Sequence, residues 1–203
     1  MTRNLRNQHK RGITLIEMVV TVAIVAIITI SITDSVLFFY RANTSSIEQA
    51  YQIGSARRGV EFLVRDLREM SHADDGSYPI ALMASTSITF YSDTDKDASV
   101  EQISYMLTGT TTLTRTVLDA TGLPLGYSGV GTTSIVSTYV RNLEEVQPIF
   151  RYYDSAGTEI TDYSDTGSVR SVTVNMIVNI QPIRQPDEFT LRSSATLRNL
   201  RDE

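Results

Sequence analysis

Residues 13–32 read ITLIEMVVTVAIVAIITISI, a run that is apolar except for scattered Thr and Ser and one carboxylate, Glu17. As a helix rising about 1.5 Å per residue, this run covers about 30 Å, the thickness of a bilayer's hydrocarbon core. Four basic residues and no acidic residue occupy positions 1–12. The positive-inside tendency therefore predicts that the N-terminus lies in the cytoplasm and the rest of the chain outside.

Two general kinds of segment share these features. A secretory signal has a shorter apolar region and a small-x-small cleavage site, and the best candidate site here, residues 31–33, leads into more apolar residues. An uncleaved signal anchor fits the length of the run. If the apolar run is considered by itself, a secretory signal and an uncleaved signal anchor both remain alternatives.

The junction between the basic residues and the apolar run is more specific. Residues 10–28 read KRGITLIEMVVTVAIVAII, which resembles the type IV prepilin signature of basic residues, a glycine and an apolar helix with glutamate at its fifth position. In that family a membrane prepilin peptidase cuts after the glycine on the cytoplasmic side and methylates the new N-terminus. The resemblance implies cleavage between Gly12 and Ile13, which makes Glu17 the fifth mature residue.

Glu17 is physically unusual in such a helix, because an unpaired charge in the membrane costs at least about 2.5 kcal/mol. The resemblance implies that its partner is the positively charged N-terminus of an adjacent subunit, so that Glu17 acts in assembly. The alternative is a carboxylate close enough to the cytoplasmic face to be hydrated or protonated.

The departures from the signature favour a particular kind of subunit. Many major pilins begin with Phe and carry Pro about 22 residues into the mature helix, whereas this chain has Ile13 and Asp34. We therefore expect a minor pilin or pseudopilin in the cytoplasmic membrane and, after assembly, at the base or tip of a filament. The partners implied are the prepilin peptidase, other pilin or pseudopilin subunits, the inner-membrane assembly platform and the lipid bilayer.

The helix is predicted to continue beyond the membrane, because residues 13–53 contain neither Gly nor Pro. Apolar residues then recur at spacings of three and four up to Met70, and charged residues occupy another face. The run 72–79, HADDGSYP, is expected to end the helix. The domain prediction is a leader at 1–12, a membrane and filament-core helix at 13–40, an amphipathic helix at 41–76 and a β-rich head at 77–203.

After Tyr78 the composition shifts to Thr, Ser, Val, Ile and Tyr in short alternations separated by turn residues, which is typical of antiparallel strands. We predict strands at 87–92, 100–107, 112–118, 146–153, 169–180 and 188–197, with a Gly-rich loop between Leu118 and Thr133. The fold class is α+β, a long N-terminal helix packed on an antiparallel β-sheet head. The order of elements also resembles the minor pseudopilin J and PilW-like group.

Composition excludes several functions. The chain has no Cys, which removes disulfides and thiolate metal sites, and only two Lys and two His, with His72 in a polar stretch. Without residues 1–12 it has 14 basic and 23 acidic residues, a net charge near −9. Nucleic-acid binding needs clustered basic residues, so no nucleic-acid partner is expected.

One acidic cluster stands out as a weak metal candidate. Asp93, Asp95 and Asp97 alternate, and oxygen ligands of this kind suit Ca²⁺, but Ala98 and Ser104 occupy the positions where an EF-hand needs Gly and Glu. A solvated hairpin turn is the alternative, and no other cofactor is predicted. The sequence also lacks the common catalytic motifs, so the chain is not expected to be an enzyme.

Overall fold

The structure is a computed structural model that describes residues 13–97, 99–179 and 188–197, apart from the side chains of Ser45, Ser46 and Gln52. The chain divides into two compact units at residues 1–47 and 48–203. The boundary falls within one helix, α1 (Leu15–Arg68), of 54 residues. Residues 1–12, the predicted leader, include Gly12 and lie outside the described residues.

In the first unit α1 is one continuous helix with a largely apolar surface. The side chains of residues 13–44 are exposed throughout, as expected for a segment that needs lipid or other helices around it. Helix formation is local here, because the sequence has no Gly or Pro to interrupt it.

In the second unit α1 buries the predicted apolar stripe and ends at Arg68, before the polar run 72–79. The chain leaves the helix early because it joins a sheet at once. Met70 forms a bridge with Ser92, and the Ser71 N–H donates to the Tyr91 carbonyl at 3.0 Å. These bonds replace the next helical turn.

The second unit, called the head below, contains two antiparallel sheets. The first has the order β1-β2-β3-β4-β5 and the second β7-β6-β8-β9. The strands are β1 (Ile80–Met83), β2 (Ser87–Ser92), β3 (Glu101–Thr108), β4 (Thr112–Leu118), β5 (Thr132–Ser137), β6 (Phe150–Tyr153), β7 (Glu159–Ile160), β8 (Ser171–Val178) and β9 (Phe189–Thr196). The predicted α+β class is confirmed.

The core of the head joins α1 to both sheets. Leu63 and Leu67 of α1 are completely buried in one cluster with Phe90 and Tyr105 of the first sheet and Val174 of the second. Burial of large apolar side chains is the main favourable term in folding, so this cluster fixes the last turns of α1 on the strands.

The strand predictions differ from the structure where alternation is weak or a turn intervenes. The strands β2 and β4 have the predicted bounds, and β3 lies one residue later than predicted. The predicted strand at 146–153 is only half formed, because Gln147 N–H donates to the Asn142 carbonyl in a turn and Val146 has a positive φ of 51°. Residue 180, the predicted end of another strand, lies outside the described residues.

Three strands were missed by the sequence analysis, namely β1, β5 and β7. The burial pattern of β1 does not alternate, because its pairing with β2 contains a register shift. β5 is exposed over most of its length and begins inside the predicted Gly-rich loop. β7 is only two residues long. Tertiary pairing, more than local sequence pattern, makes these segments strands.

Candidate functional site

The predicted processing site lies directly before α1. Ile13 and Thr14 precede the helix, and Ile13 is 70% exposed. Thr14 is the N-cap: its Oγ1 accepts a hydrogen bond from the backbone N–H of Glu17 at 3.3 Å. Glu17 thus occupies the third helical position, where a carboxylate also complements the positive end of the helix dipole.

Hydroxyl groups along the apolar part of α1 are bonded within the helix. Thr21, Thr29, Ser31, Thr33 and Ser35 each donate to the carbonyl four residues earlier, at 2.7–2.9 Å. A hydroxyl bonded in this way needs no water, which lowers the cost of placing it in lipid. The polar residues that interrupt the apolar run are therefore compatible with a membrane.

The acidic cluster folds as a compact loop after β2. Ligand oxygens of Asp93, Asp95, Asp97 and the buried Glu101 all lie within 4.8 Å of one another. Glu101, which the sequence analysis did not count as a ligand, joins the cluster because β3 begins there beside the end of β2.

Hydrogen bonds within this loop already use most of the carboxylates. Asp93 accepts the Lys96 N–H at 2.7 Å, and Glu101 accepts both the N–H and the hydroxyl of Thr94. The N–H and hydroxyl of Ser99 lower the pKa of Asp97 below its usual value. The loop is thus explained as a turn held by carboxylates, and calcium binding at Asp93, Asp95 and Asp97 stays a prediction.

A second polar cluster was missed by the sequence analysis. Asp66 of α1 is 2% exposed, and its Oδ2 accepts from the Tyr105 hydroxyl at 2.7 Å and from Arg115 Nε at 2.8 Å. Burial and the neighbouring Asp66 carboxylate raise the pKa of Tyr105, which keeps the phenol protonated. The sequence contains one sign of this cluster, which is an Asp beside the apolar stripe, three residues after Leu63. Its partners could not be recognised, because they lie on two strands that are distant in sequence.

Other polar residues of the head have structural contacts. Asp74 Oδ2 accepts the Val100 N–H at 2.9 Å, which ties the end of the helical region to the start of β3. His72 is exposed and packs edge-on against Tyr78. Glu144 forms an ion pair with Arg141 at 2.6 Å. These contacts position the backbone and do not assemble a catalytic pair.

The first unit gives the clearest functional signal. Among the described residues, α1 is the one helix whose length and composition suit a membrane span. A comparison with protein families matches residues 7–33 to the prokaryotic N-terminal methylation motif. This chain carries the prepilin motif.

The prepilin motif supports a type IV pilin-like protein. Together with the long apolar part of α1, it suggests a protein anchored in a membrane by its N-terminal helix. No curated protein was found to match the chain.

The prepilin motif contains all three residues predicted for processing and assembly. Gly12 falls within the matched stretch but outside the described residues, whereas Ile13 and Glu17 are described. The match ends at residue 33, so the head contributes nothing to it.

Proposed function

We propose that this chain is a minor pilin or pseudopilin subunit of a type IV filament machine, which can be a pilus, a type II secretion pseudopilus or a DNA-uptake filament. The observation that carries the proposal is the prepilin motif at residues 7–33, at the start of a helix whose apolar part is wholly exposed. An exposed apolar surface of this size needs a covering of lipid or of neighbouring helices.

Prepilin peptidase is proposed to cleave between Gly12 and Ile13 and to methylate the Ile13 amine. The support is that α1 begins only at Leu15, so Ile13 precedes the regular helix and is exposed. A protease requires access to an extended backbone, and glycine beside the scissile bond permits close approach.

Glu17 is proposed to pair with the methylated amine of an adjacent subunit when helices bundle. Its carboxylate lies at an exposed position four residues after Ile13, in the apolar part of the helix. A charge in such surroundings is stable only with a partner, and an ammonium group of the neighbouring helix supplies one. The pairing also sets the axial position of one helix against the next.

The charge distribution supports the proposed membrane topology. The basic residues of positions 1–12 favour a cytoplasmic N-terminus, and the acidic head then lies outside the cytoplasmic membrane, with a single span. Ile13 and Asp34 stand where many major pilins have Phe and Pro, which favours a minor subunit. The two-sheet head is also compatible with the resemblance to the pseudopilin J and PilW-like group.

N-terminal sequencing and intact mass of the chain, purified from a host with an active prepilin peptidase, test the proposal. In that host we expect a methylated Ile13 as the first residue. In a host without the peptidase we expect the uncleaved chain. A chain that retains Met1 in both hosts would instead be an uncleaved, singly anchored exoplasmic domain. That outcome would reject the pilin assignment.

A further inference from the structure

The head carries a groove between α1 and β5 that the prepilin motif does not explain. It encloses about 490 Å³. We call it the α1–β5 groove, and the residues that define it here are Arg58, Phe62 and Arg65 on α1, Ser134 and Val136 on β5, and Arg115 of β4.

The α1 side of the groove is basic and aromatic. Arg58, Phe62 and Arg65 follow one another at spacings of four and three, so they share one face of the helix. Phe62 is 51% exposed, and the Arg65 guanidinium lies over its ring at 4.7 Å from the centroid. Within the described part of the chain, neither Arg58 nor Arg65 forms an ion pair with a carboxylate.

The base of the groove adds no net negative charge. Asp66 is the one carboxylate among the described residues that line it, and this group already pairs with Arg115 and accepts from Tyr105. The positive charges of Arg58 and Arg65 are therefore not balanced by a carboxylate among the described residues that line the groove. They stand out on a chain that, without residues 1–12, has 14 basic and 23 acidic residues, a net charge near −9.

The β5 side of the groove is the end of a sheet. Among the described strands β5 pairs only with β4, and Ile135, which also lines the groove, is 67% exposed. The helix packs closely against the Val136 backbone at one point of β5, and away from that point an end strand offers unpaired backbone groups to an extended chain. Exposed apolar and basic side chains next to that edge give the extended chain places for its own side chains.

We propose that the α1–β5 groove binds an extended acidic segment from the head of a neighbouring pilin-like subunit. Carboxylates of the segment pair with Arg58 and Arg65, and an apolar side chain packs against Phe62 and Ile135. This inference rests on the proposed function, because it takes the neighbour to be a filament subunit. Guanidinium groups bind carboxylates with two parallel hydrogen bonds, which gives the contact direction as well as strength.

The charge around the groove selects against a nucleic acid. A strand of phosphates would meet Arg58 and Arg65 and then the acidic remainder of the head, which repels it. A short peptide with two or three carboxylates matches the two guanidinium groups and avoids that repulsion. Charge complementarity thus favours an acidic protein segment.

The absence of Cys from the chain permits a direct test. Ser134→Cys in the full chain places a unique thiol at the exposed β5 side of the groove, where a thiol-reactive photo-cross-linker can be attached within assembled filaments. We expect cross-linking to a protein that has its own prepilin motif, at an acidic segment identified by mass spectrometry of the cross-linked peptides.

Charge reversal at the groove distinguishes specific docking from proximity. Arg58→Glu with Arg65→Glu, in the Ser134→Cys chain, should reduce the cross-link at least about tenfold. The control reverses Arg57 and Arg192, which are exposed and do not line the groove, for the same change in net charge. Arg58→Gln with Arg65→Gln removes the charges without reversing them, and it should give a smaller loss with unchanged thermal unfolding.

The outcomes separate the two proposals. If the chain is processed and found in filaments but Ser134→Cys gives no cross-link, cross-links DNA or lipid, or cross-links equally after charge reversal, the groove proposal is wrong and the filament assignment stands. If the chain is neither processed nor associated with pilin-like subunits, both proposals are wrong.

Discussion

Asp66 of α1 and Arg115 of β4 form an ion pair of 2.8 Å across the head, and the Tyr105 hydroxyl of β3 donates to the same Asp66 oxygen at 2.7 Å. Asp66 is almost fully buried and Arg115 is about three-quarters buried. One carboxylate therefore joins the helix to two strands of the first sheet. It also keeps the base of the α1–β5 groove electrically neutral.

Removing this carboxylate should destabilise the head strongly. Asp66→Ala leaves the Tyr105 hydroxyl and the Arg115 guanidinium without their acceptor, and we expect a loss of about 2–4 kcal/mol in the free energy of unfolding. The measurement is unfolding of the full chain in detergent, followed by near-UV circular dichroism. The control Glu61→Ala breaks the exposed pair with Arg57 and should cost less than about 1 kcal/mol. Equal losses in the two variants would contradict the role given to Asp66.

Alkaline pH should weaken the head through two buried phenols. Burial raises the pKa of Tyr105 and of Tyr152 above the ordinary value, and the Asp66 charge raises that of Tyr105 further. Unfolded tyrosine ionises near pH 10, whereas these two keep their protons when folded, so unfolding releases protons above about pH 10. The free energy of unfolding should therefore be unaffected by these groups below pH 10 and should fall as the pH rises above it.

Phenylalanine variants test the assignment of this effect. Tyr105→Phe with Tyr152→Phe should lower stability at neutral pH, because both hydroxyls lose the hydrogen bonds that they donate, but should flatten the decline above pH 10. Tyr51→Phe serves as the control, since Tyr51 is 69% exposed. A decline as steep in the double variant as in the unaltered chain would show that other groups cause it.

Two helical glycines should respond to alanine with opposite signs. A Cβ on Gly59 would lie 2.6 Å from Val136 Cγ1 and 2.8 Å from the Val136 carbonyl oxygen, so Gly59→Ala should cost about 1–3 kcal/mol. A Cβ on Gly54 would meet only the end of the Arg58 side chain, at 3.6 Å, so Gly54→Ala should stabilise α1 by about 0.5–1 kcal/mol. Thermal unfolding of both variants measures these two changes in stability. Stabilisation by Gly59→Ala would refute the close packing of α1 on β5.

Substitution of Glu17 should separate processing from assembly. Glu17→Gln keeps size and hydrogen bonding but removes the charge, so cleavage at Gly12 should proceed while incorporation into filaments falls sharply. Membrane insertion should become easier, because a costly charge is gone. The amounts of mature chain in membranes and in sheared filaments measure the two effects. Asp34→Asn is the control, since it removes a carboxylate farther along the same helix. Filament levels of Glu17→Gln equal to those of the unaltered chain would reject the charge pair.

The parts of this protein that sequence predicted well are those governed by neighbouring residues. The apolar run and the absence of Gly and Pro both act within a few residues, so α1 is readable from the chain. The prepilin motif is likewise one continuous stretch, so the order of its residues is enough to recognise it. Strands with clear alternation, such as β2 and β4, followed from the same local logic.

Tertiary structure alone decided the features that join distant segments. Asp66 meets partners 39 and 49 residues away, and β5 becomes a strand only because β4 pairs with it. The division into two sheets and the α1–β5 groove depend on such pairings, which no short pattern specifies. Local hydrophobic period and capping fix a helix wherever it lies, whereas ion pairs, strand partners and grooves depend on how the whole chain buries its apolar surface.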